Sequence, residues 1–219
     1  MSAEAAFLRE TRTSYDAIAG AYAAEFAEEL AGKPYEKAML GAFAELVAAD
    51  GGGPVVEAGS GPGQVTAYLA RLGVDVTGVE LSPRMVESAR ERYPAQRFVQ
   101  GTMTDLAAAG VADGSLGGIA AVYSVIHIPT PELPGVLAGF RRALRPGGRL
   151  LLVFQTGDEL IRRTEAFGQD IALEYHWRQP EAVADLLAAA GLPVGARFTR
   201  EPEAAEKSPR AALFAVRPA

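Results

Sequence analysis

The chain predicts an α/β architecture, a mostly parallel sheet covered by helices on both faces, and three observations point there. Short apolar runs at 55–58, 74–80, 97–100, 119–123 and 149–154 alternate with helix-length segments, and strands joined through helices need crossover connections, which run parallel. A glycine cluster, Gly59, Gly61 and Gly63, sits at the carboxyl end of the first run, where sheets of this class bind ligands. A length of 219 residues with 49% hydrophobic and 22% charged residues suits one globular domain with a large core and is too short for two full α/β domains.

Residues 2–50 contain no β-branched run. Thr13 or Ser14 is expected to cap a first helix that carries Tyr15, Ile18, Ala19, Tyr22 and Phe26 on one face. A second helix follows Pro34 and buries Met39, Leu40, Phe43, Leu46 and Val47, and Gly51 to Pro54 ends it. The first strand, the glycine loop and a helix to about Leu72 come next, with Val65, Tyr68 and Leu69 inward. The 74–80 strand leads to Ser82-Pro83, an N-cap followed by a first-turn proline, and a helix to about Arg92. Beyond the strands at 97–100 and 119–123, a helix spans 131–144, and Pro146-Gly147-Gly148 opens the strand at 149–154. The stretch 156–178 has no place in a minimal fold of this kind. A last helix at 179–190 is closed by Gly191. Two strand candidates near 193–199 and 212–216, joined by the charged stretch 200–210, suit a terminal antiparallel hairpin. With no internal repeat and no linker, residues 1–219 read as a single domain with a helical cap at 1–50.

Acidic residues outnumber basic ones by 27 to 21, a net charge of -6. That balance lacks the basic footprint of a nucleic-acid binder and favours a small, uncharged or cationic partner. The chain has no cysteine, which excludes disulfides, thiolate metal sites and a cysteine nucleophile and agrees with a reducing compartment. No basic leader precedes an apolar run and no stretch approaches membrane length, so a cytoplasmic protein without a membrane partner is expected.

In Glu57-Ala58-Gly59-Ser60-Gly61-Pro62-Gly63-Gln64 the glycines let backbone N–H groups approach a ligand closely. A dinucleotide fingerprint beginning at Gly59 needs glycine or alanine where Gln64 stands, and a P-loop needs a Lys and Ser/Thr ending that is missing. Glu80 ends the second strand about twenty residues after the loop, the interval at which a carboxylate meets the two hydroxyls of a ribose. Such a pairing suits NAD and S-adenosylmethionine alike; the glycine register and the short length favour the second.

Residues 55–64 (VVEAGSGPGQ), 78–90 (GVELSPRMVESAR), 121–129 (AVYSVIHIP) and 144–154 (LRPGGRLLLVF), with 15–26 (YDAIAGAYAAEF) before them, resemble in order and spacing the motifs of the class I S-adenosylmethionine-dependent methyltransferases of small-molecule type. The resemblance covers nearly the whole chain. It implies a Rossmann-like seven-stranded sheet with the last strand inserted antiparallel, S-adenosylmethionine as cofactor with S-adenosylhomocysteine as product, and a small-molecule acceptor. It also implies roles: Glu57 toward the cofactor's ammonium group, Gly59, Ser60 and Gly61 along its amino-acid part with Gly63 in the same loop, Glu80 at the ribose, Leu81 and Met85 near the adenine. Where the family often carries an aspartate this chain has Gly101-Thr102, so adenine recognition falls to Thr102, Met103 or Asp105. Tyr15 and Tyr22 match positions that cover the cofactor in relatives, two helical turns apart on one face; the same spacing also suits a core stripe. Tyr123, at the end of the fourth strand, joins the cofactor-binding set.

His127 follows the fourth strand, where the resemblance places the acceptor pocket. A histidine there can take a proton from a hydroxyl or amine, or can simply be packed for shape. His176, in Tyr175-His176-Trp177, is the second candidate, inside an insertion at 156–178 that would cover the acceptor or form a surface helix with an aromatic hinge. Asp158 and Glu159 do not make a divalent site, because the fourth strand ends in Tyr123-Ser124 rather than a carboxylate, and no metal is expected. Two other functions stay open on the residues: cofactor binding without methyl transfer, as a partner module or rearrangement catalyst, and a compact nicotinamide oxidoreductase. No motif bears on the oligomeric state.

Overall fold

The computed structural model describes residues 5–203 and 206–219; residues 1–4 of the expected cap and 204–205 of the charged stretch lie outside the described residues. The strands are β1 Val55–Ala58, β2 Val76–Glu80, β3 Arg97–Gln100, β4 Leu116–Val122, β5 Leu144–Gln155, β6 Leu160–Ala166, β7 Gln169–His176, β8 Val194–Arg200 and β9 Arg210–Val216. The α-helices are α1 Ala6–Glu25, α2 Pro34–Ala49, α3 Gln64–Arg71, α4 Pro83–Arg92, α5 Leu133–Ala143 and α6 Pro180–Ala189.

Seven strands form one sheet in the order β3-β2-β1-β4-β5-β9-β8. The strands from β3 to β5 pair in parallel, and β9 lies antiparallel between β5 and β8, the arrangement the family resemblance implies. Strand order reverses at β1, with β2 on one side and β4 on the other. The helices leaving β1 and β4 therefore go to opposite faces and leave a crevice at the carboxyl ends of those two strands.

Period-two alternation explains the unbroken apolar run of β5. Leu150, Leu152 and Phe154 point to the face covered by Leu137 and Phe140 of α5 and Leu187 of α6. Leu151 and Val153 point to the other, against Leu40 and Phe43 of α2 and Leu69 of α3. The cap at α4 is as the sequence predicts: Ser82 Oγ accepts from Met85 N, with Pro83 in the first turn.

Three expectations are corrected. The first helix starts at Ala6, so Thr13 and Ser14 lie in its interior rather than at its cap; the Ser14 hydroxyl is satisfied there by donating to Glu10 O at 2.7 Å, a bond helical serines make without ending the helix. Leu46 is only half-buried, and Glu36 shares the buried face of α2 with Met39, Leu40 and Phe43. The 156–178 stretch is no helix: β6 and β7 form a separate two-stranded hairpin whose Ile171 and Leu173 pack on Ile18 of α1.

Candidate functional site

A cavity of about 560 Å³ opens at the carboxyl ends of β1 and β4, walled by α1, the glycine loop, the ends of β2 and β4, the hairpin and the segment before β9. That size is ample for a small ligand. The loop itself is tied down, since Gly59 N and Ser60 N both donate to Val79 O of β2, at 2.8 and 3.2 Å. Gly59 has φ +79°, and a Cβ there would lie 2.5 Å from Ser124 Cβ, so the strand ends can approach only because this side chain is missing. At Gly61 a Cβ would meet nothing within 4 Å; the loop faces open space there. Gly63 is different. It starts α3 with φ +92°, its missing Cβ makes room for Phe98, and it is not among the residues lining the cavity.

Two buried carboxylates border this loop. Glu57 accepts from Thr66 Oγ1, and burial, working against hydrogen bonds from Thr66, pushes its carboxyl up to about 8. Glu80 accepts from Gly61 N at 2.9 Å through one oxygen and from Ser82 N at 2.8 Å through the other. Burial raises its carboxyl as well, against backbone hydrogen bonds from Ser82 and Gly61. Each carboxylate oxygen keeps a second lone pair, so Glu80 can still accept two hydroxyl donors.

Leu81, Met85, Thr102 and Met103 line the cavity beside Glu80. Asp105 does not; it is exposed and accepts from Ala108 N at 3.1 Å. Tyr15 and Tyr22 line the cavity from α1 with their rings 5.7 Å apart, edge to face. Both also pack on Ile18, Ile171 and Leu173, so they form core and cavity wall together.

His127 lines the cavity, with Tyr15 Oη 2.8 Å from Nε2 and Glu174 O 3.0 Å from Nδ1. A carbonyl only accepts, so Nδ1 carries the ring proton and Nε2 accepts from Tyr15. Burial pulls the imidazole down to about 4 from an ordinary 6.5. A histidine held neutral in this way contributes stability that is complete above pH 6.5 and is lost as the pH falls from there toward 4, because the unfolded chain binds a proton the folded one refuses. From about pH 7 to pH 4.5 the wild type is expected to lose about 2 kcal/mol more stability than His127→Gln in urea denaturation; parallel pH curves would contradict the buried neutral ring.

His176 lies elsewhere. Successive residues of a strand point to opposite faces, so Tyr175 enters the cavity wall while His176 does not line it and sits 3.4 Å from Glu174 Oε2. Asp158 is engaged by Gln179 Nε2 at 2.8 Å, and among the described residues no cluster of three or more His, Asp or Glu side chains is placed to hold a metal ion. No helix among them is long and apolar enough to cross a membrane.

A family model described as Methyltransferase domain matches residues 55–148, the span from β1 into β5 that builds this site. Over that span the chain is similar to the class I S-adenosylmethionine-dependent methyltransferases. The trans-aconitate 2-methyltransferase of Variovorax paradoxus is 33% identical over 148 residues, 66% of this chain and 54% of that protein. An S-adenosyl-L-methionine-dependent Diels-Alderase of Talaromyces variabilis is 36% identical over 120 residues, 52% of this chain and 39% of that one. The 1,6-didemethyltoxoflavin-N1-methyltransferase of Burkholderia thailandensis, solved with its acceptor and S-adenosylhomocysteine, has a similar fold at 22% identity, with a TM-score of 0.67 over 100% of this chain and 94% of that one. The chain spans about half the length of the curated relatives it matches.

Tyr123, expected in the cofactor-binding set, lines the cavity together with Glu36, Lys33 and Glu206, which no sequence motif marks. Tyr123, in the left-handed region at φ 53°, donates to Glu36 Oε1 at 2.7 Å and lies under the guanidinium of Arg210. Glu36 also accepts from Arg200 at 2.9 Å, Arg200 bridges to Glu206, and Lys33 reaches Glu206 at 3.0 Å. Hydrogen bonds from Arg200 hold the Glu206 carboxyl far below the usual carboxylate range. Beside Tyr123, the sequence signal for this cluster is Glu36, a carboxylate in register with the apolar stripe of α2. The hairpin adds Arg163 and Phe167 to the wall, and Trp177 just after β7 joins them.

Proposed function

We propose that the chain catalyses in-line methyl transfer from S-adenosylmethionine to a small-molecule acceptor, with residues 1–219 acting as one domain, 1–50 as its cap and 156–178 as the lid over the acceptor. The observation that carries this reading is the Glu80 carboxylate, held between the glycine loop and the start of α4 at the edge of a cavity that two tyrosines cover. The residues fit the group the family implies. Gly61 opens onto free space, the buried Ser60 Oγ has no hydrogen-bond partner among the described residues, and Glu57 offers a carboxylate to an ammonium group. When bound, S-adenosylmethionine supplies a methyl group already activated by a sulfonium.

The protein's remaining task is to orient the acceptor and exclude water. Tyr15, Tyr22 and the hairpin enclose the reaction space. His127, with its proton fixed at Nδ1, offers Nε2 as the acceptor for a proton arriving through the Tyr15 hydroxyl. A cytoplasmic setting and no nucleic-acid partner go with this reading, since a net charge of -6 opposes polyanion binding.

Calorimetry with S-adenosylhomocysteine and NAD tests the cofactor: binding of the first and not the second is expected, and the reverse would make the chain a nicotinamide protein. A library of hydroxyl- and amine-bearing acceptors, assayed for S-adenosylhomocysteine formed in proportion to acceptor consumed, tests the reaction. Acceptor conversion without that product would place the chain with cofactor-dependent catalysts that transfer no methyl. In the same assay His127→Ala is expected to lower kcat about 100-fold or more if the acceptor must lose a proton, while His176→Ala leaves it unchanged. Equal effects of the two variants would remove His127 from the mechanism.

A further inference from the structure

Three consecutive residues of α1 reach three different walls of the cavity. Ser14 Oγ accepts from Ala172 N of β7 at 2.8 Å, Tyr15 donates to His127, and Asp16 Oδ1 accepts from Ser82 Oγ at 2.5 Å and from Arg84 N at 3.3 Å. Successive side chains of a helix point about 100° apart, so less than one turn of α1 fans onto the hairpin, the loop after β4 and the start of α4.

The Asp16 contact goes beyond what capping requires. Ser82 already caps α4 by accepting from Met85 N at 3.1 Å, yet its hydroxyl proton is directed to a carboxylate 66 positions away in sequence. The backbone N–H of the same Ser82 holds one oxygen of Glu80, and Gly61 N holds the other. A continuous line of hydrogen bonds thus runs from α1 through Ser82 and Glu80 to the glycine loop. A carboxylate gripped from two sides has one orientation, and its free lone pairs then point one way. Releasing Ser82 frees one of the two grips.

We infer that Asp16 is a positioning residue for ribose recognition: by fixing Ser82 it sets the direction of the Glu80 carboxylate, so that docking of α1 and gripping of the ligand's diol are one event. The inference rests on the S-adenosylmethionine reading above. A carboxylate at a helix N-terminus also stabilises that helix by itself, and such a contribution would be indifferent to which ligand is bound. Positioning would not be: it would be felt only by a ligand with both ribose hydroxyls.

The test is calorimetry of the full chain with S-adenosylhomocysteine, adenosine and 2′,3′-dideoxyadenosine, with thermal melts of each variant. Asp16→Ala is expected to weaken the first two about tenfold, the scale of one hydrogen bond to a charged group, and to leave 2′,3′-dideoxyadenosine at its wild-type affinity. Asp16→Asn keeps an acceptor oxygen and should recover most of the loss. Equal weakening of all three ligands, or of none, overturns the inference. If Asp16→Ala does not fold, Ser82→Ala breaks the same line from the other side and must show the same diol-specific loss for the inference to stand. A wild type that binds no S-adenosylhomocysteine overturns the cofactor reading and this inference with it; wild-type binding with an indiscriminate loss in the variants overturns this inference alone.

Discussion

Glu80→Ala is expected to weaken S-adenosylhomocysteine binding at least about 100-fold, because two hydrogen bonds from the ribose to a charged acceptor, each worth about 1.5–3 kcal/mol, disappear together. The substitution also leaves Gly61 N and Ser82 N without the acceptor that joins them, so the glycine loop loses its tie to α4. Glu80→Gln separates the two losses. It keeps one acceptor oxygen and removes a buried charge, whose burial is unfavourable enough to raise the carboxyl in the wild type. Its NH2, however, must face either Gly61 N–H or Ser82 N–H, donor against donor, so the ligand-free Glu80→Gln protein is expected to lose about 1–3 kcal/mol of stability while keeping part of the affinity that Glu80→Ala loses. Calorimetry and denaturant unfolding check the pair, and unchanged affinity in Glu80→Ala would mean that the ribose is held elsewhere.

The second large effect is at Gly59. An alanine there must adopt φ +79° and place its Cβ 2.5 Å from Ser124 Cβ and 3.2 Å from Met103 Cε. Ser124 has no room to retreat, since it is buried and its hydroxyl donates to Ala58 O at 2.6 Å. Left-handed strain and overpacking together predict a loss of about 2–4 kcal/mol and no measurable S-adenosylhomocysteine binding. Gly61→Ala is the control: the same handedness at φ +51° with nothing within 4 Å should cost about 1–2 kcal/mol of stability and act mainly on binding. Equal stability losses in the two variants would refute the contact argument.

Local chemistry made much of this site legible. The βα turn after β1, the carboxylate ending β2 and the Ser82-Pro83 cap are each determined by neighbours a few residues away, and all three stand where the sequence predicts them. The start of α1 is hidden for an equally local reason: Ser14 resembles a cap, and only its donation to Glu10 O together with acceptance from Ala172 N makes it an interior residue bonded to a distant strand. The hairpin defeated sequence reading because its apolar residues are few and its partner is α1 rather than the main sheet. His176 stood beside Tyr175 in the sequence with nothing to say which would face the cavity; strand alternation decides it. Gly63 is indistinguishable in the motif from Gly59 and Gly61, yet its missing side chain serves the packing of Phe98.

Taken alone, the sequence determined the parallel sheet, the crevice at the carboxyl ends of β1 and β4, and the glycine loop and Glu80 that border it. These follow from periodicity and from backbone conformations that few residues tolerate, which are properties of short segments. Only the tertiary structure decided that Tyr15 and His127 form one hydrogen-bonded pair, that Glu36 meets Tyr123 and Arg200, and that Asp16 reaches Ser82. Each of those joins residues at least 66 positions apart, and no local propensity specifies a partner across such a distance; it is set by which faces the two layers of helices bury and by where that burial brings the cap and the hairpin together over the crevice.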